Sequence, residues 1–283
     1  MKKILFISLL LWGAGALQAQ ENETSRSLYF NAGGGSHPLK YDLQNGVKEN
    51  FMGYTVNLGY HYYFSKNWGF AAGLGLASFQ SKATLNYQTS NASVDTDNDS
   101  FEFRTQYTDW QEKQTILLLD IPLGLVYQKQ MNEKFNFQFS IGPKVSFPLQ
   151  SKNETSGGTI ETTGYYPQYN VVLFGLPQHN FTTLTSFPKN DTSLKPVLSA
   201  CSNLGVLINL NNRLDLYSGV YLDYGLTNMI DPQSKFLYQE DGVYNGIFSS
   251  DLTKRVTQYA FGFKIGINFR LGAKEDVSVE TTP

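Results

Sequence analysis

Cysteine, histidine and charge are all scarce in this chain. Its 283 residues include one Cys and three His. One Cys cannot close an internal disulfide or build a thiolate metal cluster, so neither framework holds the fold. Charged residues make up 16% of the chain and the formal net charge is −2. These values exclude a disordered polyelectrolyte and a basic nucleic-acid-binding protein, so we expect no nucleic-acid partner.

Long apolar runs are also missing after the first twenty residues. Lys2 and Lys3 precede an apolar stretch at 4–12 and a small-residue segment that ends at Ala19. This order predicts a secretory signal peptide over 1–19, cleaved after Ala19 and too short to span a bilayer. No later apolar run reaches 18 residues, so no transmembrane helix is expected. A soluble periplasmic protein and an outer-membrane barrel remain as classes.

Aromatic residues and glycine are abundant, with 14% aromatic residues and 25 Gly. Both favour strands and tight turns. Apolar and polar residues alternate with a period of two, most clearly over 135–149, and such alternation gives a strand one apolar and one polar face. Eight segments of this kind lie at 27–36, 51–64, 68–80, 114–128, 134–149, 197–210, 213–227 and 256–271.

The connections between these segments alternate in length. Short turns at 65–67, 129–133 and 211–212 contrast with long polar connections. The long connections are 37–50, 81–113, 150–196 and 228–255. Each segment reaches the roughly 9–11 residues that a tilted strand needs to cross a bilayer.

Short turns on one side and long loops on the other are typical of outer-membrane barrels. We therefore predict an all-β fold: a transmembrane up-and-down antiparallel β-barrel of eight strands over 20–271, with short periplasmic turns and long extracellular loops. The tail at 272–283 is predicted to be disordered and periplasmic. Ten strands, with an extra hairpin in 150–196, are one alternative. A lipocalin-like soluble barrel with its apolar face inward is the other.

The polar face of each strand is then expected to line the lumen, because the lipid-facing side must be apolar. Charges persist in a low-dielectric lumen only when they are paired or hydrated. We predict a salt-bridged network that rigidifies the barrel, with a narrow gated water or ion path as the alternative. A symmetric turn at 129–133 would place Asp120 opposite Gly142. The six inward charges are Asp120, Lys144, Asp215, Asp223, Lys264 and Arg270.

Catalysis on outer-leaflet lipid would need a nucleophile or activated water beside a histidine or paired carboxylates. His61 is expected on the inward face near a short turn, on the wrong side for this chemistry. His37 and His179 lie in long connections without a neighbouring Ser/Asp constellation. We therefore expect no enzyme and no cofactor. The single Cys201 is interpreted as a small lumen-filling residue.

The second long connection offers a weak metal candidate. Asp95, Asp97 and Asp99 are spaced like the start of an EF-hand loop. Ser100 stands where that loop needs Gly, and Gln106 stands where it needs Glu. A solvated hairpin tip is the alternative interpretation.

The third long connection is rich in aromatic residues. They either pack into a cap over the barrel mouth or form an exposed contact surface for a protein or glycan. These residues are Tyr165, Tyr166, Tyr169, Phe174, Phe181 and Phe187, with the apolar run 171–174.

Three segments resemble the PorT-type outer-membrane β-barrel family, whose barrel is OmpA-like and eight-stranded. They are 115–127, with its Leu-Asp-Ile-Pro-Leu core, 141–147, with Gly-Pro, and 223–230, Asp-Tyr-Gly-Leu-Thr-Asn-Met-Ile. Asp223 departs from the basic residue usual in the family. The type member aids protein secretion, so the resemblance implies an accessory role in secretion or surface assembly. The resemblance implies no particular enzymatic reaction for this chain.

The last segment resembles the signal that barrels present to the barrel-assembly machinery, through Lys264, Gly266, Phe269 and Leu271. An ordinary barrel strand gives a similar pattern. The expected function is thus an integral outer-membrane barrel acting as a structural or surface-interaction module. Expected partners are outer-membrane lipid and lipopolysaccharide, the assembly machinery, and an extracellular protein or glycan. A small-solute channel is the alternative, followed by a lipid-modifying enzyme.

Overall fold

A computed structural model describes residues 25–233 and 235–271. The predicted signal peptide at 1–19 and the predicted tail at 272–283 lie outside these residues. The described strands are β1 (Arg26–Ser36), β2 (Leu39–Tyr41), β3 (Gly46–Asn50), β4 (Met52–Tyr63), β5 (Trp68–Val94), β6 (Ser100–Gln130), β7 (Phe135–Tyr166), β8 (Val171–Leu173), β9 (Thr183–Leu184), β10 (Asn190–Asp191), β11 (Val197–Asn209), β12 (Leu214–Gly225) and β13 (Val256–Leu271). Two 3-10 turns, Pro177–His179 and Ile247–Ser249, interrupt the long connections.

Eight of these strands close into a barrel. The antiparallel order is β1-β4-β5-β6-β7-β11-β12-β13, and β13 pairs back with β1 along the whole length of β1. Closure lets each wall strand pair with a neighbour on both sides, as backbone groups in a bilayer require. The eight-stranded prediction is confirmed. The ten-stranded alternative is wrong, because β2, β3, β8, β9 and β10 add to single strands beyond the closed wall.

The wall has the predicted orientation. Phe263 and Ile265 are 75% and 66% exposed, whereas Lys144 is 3% exposed. An exposed apolar band around a polar interior suits lipid and would be unstable in water. The lipocalin-like alternative is therefore wrong. Among the described residues, no helix has the length and hydrophobicity needed to cross a membrane.

Aromatic rings gather on the outer face near the short turns. The rings of Trp68 and Tyr127 lie 4.9 Å apart, and those of Phe64 and Phe70 lie 5.0 Å apart. Amphipathic rings at this level form the interfacial belt of a membrane barrel. The belt marks the periplasmic boundary of the wall.

The turn between β6 and β7 corrects the predicted register. Asp120 lies opposite Ser146 and not Gly142. β6 runs on to Gln130, and the Asn132 side chain accepts hydrogen bonds from the amides of Lys134 and Phe135. The turn is therefore centred two residues later than a symmetric 129–133 turn, which moves each partner on β7 by four positions.

Three strands continue far beyond the bilayer. β5, β6 and β7 contain 27, 31 and 32 residues, well over the roughly 9–11 needed to cross. The prediction of loops is thus wrong for 81–94, 100–113 and 150–166, which are strand. Polar residues in these segments suggested loops, yet they occupy the water-facing side of a regular sheet.

The apolar face changes sides along these strands. On β5, Leu74 and Leu76 point outward and are exposed, whereas farther along Phe79 and Leu85 point inward and are fully buried. The outward positions there become polar, beginning with Gln80. We take 68–77, 117–128 and 135–149 as the membrane-spanning parts of β5, β6 and β7.

The segments above the membrane fold into one unit, here called the cap. It comprises 78–94, 100–116 and 150–166 with the connections 37–51, 167–196 and 226–255. Its core is apolar and lies on the inner side of the sheet, over the barrel mouth. Fully or nearly fully buried members are Leu39, Leu85, Phe103, Tyr107, Trp110, Ile160, Phe181, Met229, Leu237, Tyr238, Ile247 and Phe248.

Candidate functional site

A three-membered ion cluster lies at the centre of the lumen. β6, β7 and β12 supply Asp120, Lys144 and Asp223. The Lys144 ammonium donates to Asp120 Oδ2 at 2.9 Å and to Asp223 Oδ2 at 2.7 Å. All three side chains are less than one tenth exposed. Because β11 separates β7 from β12, Lys144 ties together strands that do not pair directly.

A second ion pair lies at the periplasmic end of the lumen. Arg270 on β13 donates to both carboxylate oxygens of Asp215 on β12. Its Nε donates to Oδ2 at 2.9 Å, and its Nη2 donates to Oδ1. It also donates to Asn209 Oδ1 at 2.6 Å. A bidentate guanidinium–carboxylate contact fixes geometry as well as charge. Two of the six predicted inward charges, Asp215 and Arg270, therefore pair with each other at the short-turn end.

Lys264 is the sixth inward charge and has a different environment. Its ammonium donates to Asn203 Oδ1 at 2.9 Å and lies 4.5 Å from the centre of the Tyr221 ring. Such a cation–π contact stabilises a desolvated ammonium. The six predicted charges comprise three carboxylates and three cations, so the set has no net charge.

Little open space remains among these side chains. A cavity of about 70 Å³ lies beside Lys144, Asp223 and Lys264, and Cys201 contributes to its wall. This volume holds a few water molecules. On its extracellular side, Gln258 donates to Ser146 and Ser199 at 3.0 and 2.6 Å. The described lumen is thus filled by hydrogen-bonded side chains.

The two inner histidines are structural in their contacts. His37 Nδ1 donates to the Ser78 carbonyl at 2.9 Å, which leaves Nε2 to accept from the Tyr221 hydroxyl. His61 stacks on Tyr29 with ring centres 4.5 Å apart. Both are less than one tenth exposed. His37 therefore lies at the barrel mouth, although the sequence places it in a long connection.

The cap contains a buried carboxylate that sequence analysis missed. Glu112 on β6 has no exposed surface and accepts hydrogen bonds from the Tyr244 hydroxyl, the Ile247 amide and the Gln114 side chain. These donors are all uncharged. Burial raises the pKa of Glu112, because the site disfavours the ionised form. Glu112 attaches the connection 226–255 to the sheet.

The spacing of this carboxylate was the available signal. Asp120 is predicted to point inward, and strict alternation back along the strand places Gln114 and Glu112 on the same inner face. The partners of Glu112 come from a connection more than 130 residues later. Its position on a strand was therefore predictable, and its partners were not.

The weak metal candidates do not form a metal site. Within 25–233 and 235–271, no group of three or more His, Cys, Asp or Glu side chains can hold a metal ion. Asp95 Oδ1 instead accepts the amides of Asp97 and Asp99 at 3.0 and 2.9 Å, and its Oδ2 accepts the Tyr166 hydroxyl. These contacts build the hairpin tip between β5 and β6, as the alternative interpretation predicted.

The aromatic residues of the third long connection divide between two roles. Tyr166 and Phe181 are buried in the cap, and Phe187 stacks on Tyr244 with ring centres 4.3 Å apart. Tyr169 and Phe174 are 61% and 72% exposed. The cap interpretation therefore holds for the buried rings, and for the exposed rings a contact surface stays a prediction.

The four residues of the predicted assembly signal lie on β13, the strand that closes the barrel. Lys264 points into the lumen, Gly266 lies opposite Asn31 of β1, and Phe269 is 43% exposed on the outer face. Leu271 is half-buried at the end of the strand. This is the alternation of an ordinary wall strand.

Three solved structures are similar to this chain. Ail of Yersinia pestis, in complex with the heparin analogue sucrose octasulfate, is 12% identical, with 88% of this chain and 99% of that chain covered and a TM-score of 0.31. Neisserial surface protein A (NspA) is 9% identical, with 87% and 96% covered and a TM-score of 0.37. OprG from Pseudomonas aeruginosa is 12% identical, with 88% and 97% covered and a TM-score of 0.39. The low TM-scores mean that these similarities support no inference about function.

No curated protein sequence matches the chain. The family model described as "Outer membrane protein beta-barrel domain" matches residues 18–231. This match spans well over half of the chain, and it agrees with the closed eight-stranded wall. The chain therefore belongs to the outer-membrane protein β-barrel domain family, and its location is the outer membrane.

Proposed function

We propose that this protein is a closed barrel that presents its cap as a surface-interaction module. The observation that carries the proposal is the length of β5, β6 and β7, which build an apolar core outside the membrane. Anchoring in the bilayer needs only roughly 9–11 residues per strand. The additional sheet therefore serves a purpose on the cell surface, where loops and their supports carry recognition.

The filled lumen favours the role of a surface-interaction module over that of a small-solute channel. Paired charges of a balanced set bind the walls together and rigidify them, and the cap covers the mouth. Planar-bilayer recordings of the refolded protein are expected to show no stable conductance. Discrete, reproducible openings would favour the channel instead.

A photo-crosslinking experiment tests the surface role directly. A photoreactive residue replaces Phe174, which is 72% exposed on the cap, and in a matched control it replaces Ile265, which is 66% exposed on the wall. On intact cells, we expect the cap position to give a discrete protein or glycan adduct and the wall position to give only lipid adducts. Identical lipid adducts at both positions would contradict the proposal.

We also propose that the protein has no enzymatic activity and needs no cofactor. The contacts of His37 and His61 with carbonyl, hydroxyl and ring partners support this, because neither histidine contacts a serine–carboxylate pair. Incubation with lipopolysaccharide and phospholipid, followed by mass spectrometry, is expected to leave both lipids unchanged. A hydrolysed or acylated product would overturn this part.

Within its family, we propose that the chain is of the PorT type and is an accessory to secretion or surface assembly, inserted by the barrel-assembly machinery. The three motifs quoted from the sequence support the assignment. Asp223, the departure from the pattern, has a partner in Lys144. Deleting the gene is expected to change the set of secreted or surface-attached proteins. An unchanged set, with normal assembly of other barrels, would contradict the role.

A further inference from the structure

In the cap, β5, β6 and β7 form a three-stranded sheet, and its two edges differ in how they are covered. The β7 edge is covered by three short strands of the same chain: β10 at 152–153, β9 at 160–161 and β8 at 164–166. On the opposite edge, β3 covers 81–85 of β5. Residues 87–94 of β5 pair with β6 on one side. Among the described residues, no backbone hydrogen bond reaches their other side. We call 87–94 the free edge.

The free edge lacks the protection that natural edges carry. Its sequence, Tyr-Gln-Thr-Ser-Asn-Ala-Ser-Val, contains no charge and no proline. The irregularity between Leu85 and Tyr87 lies before it and leaves its own ladder regular. Its eight residues extend over about 26 Å. Long, regular, uncharged edges are templates for another strand, and soluble proteins avoid them with lysine, proline or bulges.

A cleft runs beside this edge. It has a volume of about 540 Å³ and lies between Asn91 and the connection 226–255. Ser93 Oγ bonds to Glu240 Oε1 at 2.6 Å, which holds the connection near the edge without pairing with its backbone. The far wall offers one apolar ring and side chains of both charges: Lys235, Phe236, Gln239, Glu240 and Asp241.

We propose that the free edge binds an extended polypeptide segment of another protein as an added β-strand. Main-chain hydrogen bonds to 87–94 would supply affinity, and alternate side chains of the segment would face the cleft. The pairing of β3 with 81–85 supports this, because the chain itself adds a strand to the same edge immediately below. The inference rests on the proposed surface role and deepens it by assigning the partner class.

The test uses a synthetic peptide with the sequence of residues 101–107, Phe-Glu-Phe-Arg-Thr-Gln-Tyr. This segment pairs with 87–93 in the native sheet, so it fits β5 in spacing and alternation. Hydrogen exchange is measured on the full chain in micelles. We expect alternate amides of 87–94 to exchange at least about tenfold more slowly with peptide, which equals about 1.4 kcal/mol. A peptide N-methylated at every second residue is the control and is expected to give less protection.

Two proline variants provide a matched pair on the protein side. Successive amides of a strand point to opposite edges, so Thr89→Pro and Ser90→Pro remove donors from different sides. The variant that loses the outer donor keeps its pairing with β6 and its thermal stability, because edge strands tolerate proline. That variant is expected to bind the peptide about tenfold more weakly. The other is expected to be less stable.

Several outcomes would overturn the inference. They are an absence of peptide binding, binding that leaves the exchange of 87–94 unchanged, and protection that increases with protein concentration without peptide. The last would identify a second copy of this chain as the occupant. Faster exchange of 100–107 would instead show that the peptide displaces β6 from its pairing with β5. Crosslinking at Phe174 monitors the other side of the cap, so it can succeed while the strand-addition test fails.

Discussion

The two halves of β5 have one backbone conformation and opposite side-chain patterns. From Trp68 to Leu76 the outer face is apolar and the inner face carries small or polar residues. Beyond Ser78 the outer face is polar and the inner face holds Phe79 and Leu85. Both halves are antiparallel strand paired with β6. The surrounding solvent alone therefore decides which face is apolar.

This comparison also shows where each half obtains its stability. The membrane half encloses paired charges and amide networks, because lipid already solvates its apolar face. The cap excludes water from Phe103, Trp110 and their neighbours, as a soluble domain does. Deleting a charge partner should therefore damage the wall most, and deleting apolar volume should damage the cap most.

The largest effect is expected from Lys144→Ala. The substitution leaves the carboxylates of Asp120 and Asp223 close together without their shared cation. Breaking a buried ion pair by removing one partner costs about 3–5 kcal/mol. The measurement is urea unfolding in lipid vesicles, with the fraction of folded barrel read from its gel mobility.

The matched control is a triple variant, Lys144→Met with Asp120→Asn and Asp223→Asn. It removes the whole cluster and leaves no uncompensated charge. Replacing a complete buried cluster is often neutral or stabilising, so we expect most of the lost stability to return. A triple variant as unstable as Lys144→Ala would show that the lysine acts through packing and not through charge.

A similar loss confined to the cap is expected from Phe103→Ala. Phe103 is fully buried, and such truncations cost about 3–5 kcal/mol. Two tryptophans separate the regions, since Trp110 lies in the cap core and Trp68 at the periplasmic belt. In a Trp68→Phe background, fluorescence should report earlier unfolding of the cap. In a Trp110→Phe background the barrel transition should not move; if both transitions shift together, the cap and the wall unfold as one unit.

The sequence predicts the membrane half better than the cap for a physical reason. Parity places Asp120, Lys144 and Asp223 on the inner face, because each strand alternates strictly across the bilayer. The partners of Lys144 cannot be predicted from alternation. Its contact with Asp120 depends on where the β6–β7 turn is centred, and its contact with Asp223 joins strands that do not pair. The same holds for Glu112, whose partner Tyr244 lies 132 residues later in the chain. In the cap, the same alternation is present but its polar members resemble loop composition.

The comparison can be sharpened by adding one charge to the outer face of each half. Ile265→Arg places a guanidinium midway along the lipid-facing side of β13, where the cost is about 2–4 kcal/mol. Gln88→Arg adds the same charge to the water-facing side of β5 and should change stability by less than about 0.5 kcal/mol. Urea unfolding in vesicles measures both, and Ile265→Leu controls for shape. Equal costs would mean that the outer face of the cap also contacts lipid.

The smallest expected effect is the pH dependence of the cap, which Glu112 should impose. Its pKa is raised in the folded cap by burial among Tyr244, Gln114 and the Ile247 amide, with Tyr41 the next titratable group. A group whose folded pKa is raised contributes stability below its unfolded pKa, and this stability is lost as pH rises through the folded pKa. Trp110 fluorescence should therefore show a cap that resists unfolding better in mild acid than at neutral pH.

The variant Glu112→Gln tests that assignment, because a neutral amide has nearly the shape of the protonated acid. It should abolish the pH dependence and give the cap, at neutral pH, the stability of the acid form. Glu154→Gln on the exposed outer face is the matched control, since its side chain is 49% exposed and pairs with Lys189 in water. If the pH dependence persists in Glu112→Gln, the titrating group is instead Asp251, because burial also raises the pKa of Asp251. The contrast between the two halves thus extends to ionisation. Buried carboxylates of the wall pair with Lys144 or Arg270, whereas Glu112 in the cap accepts hydrogen bonds from neutral donors only. The stability of the cap is therefore expected to depend on pH through Glu112.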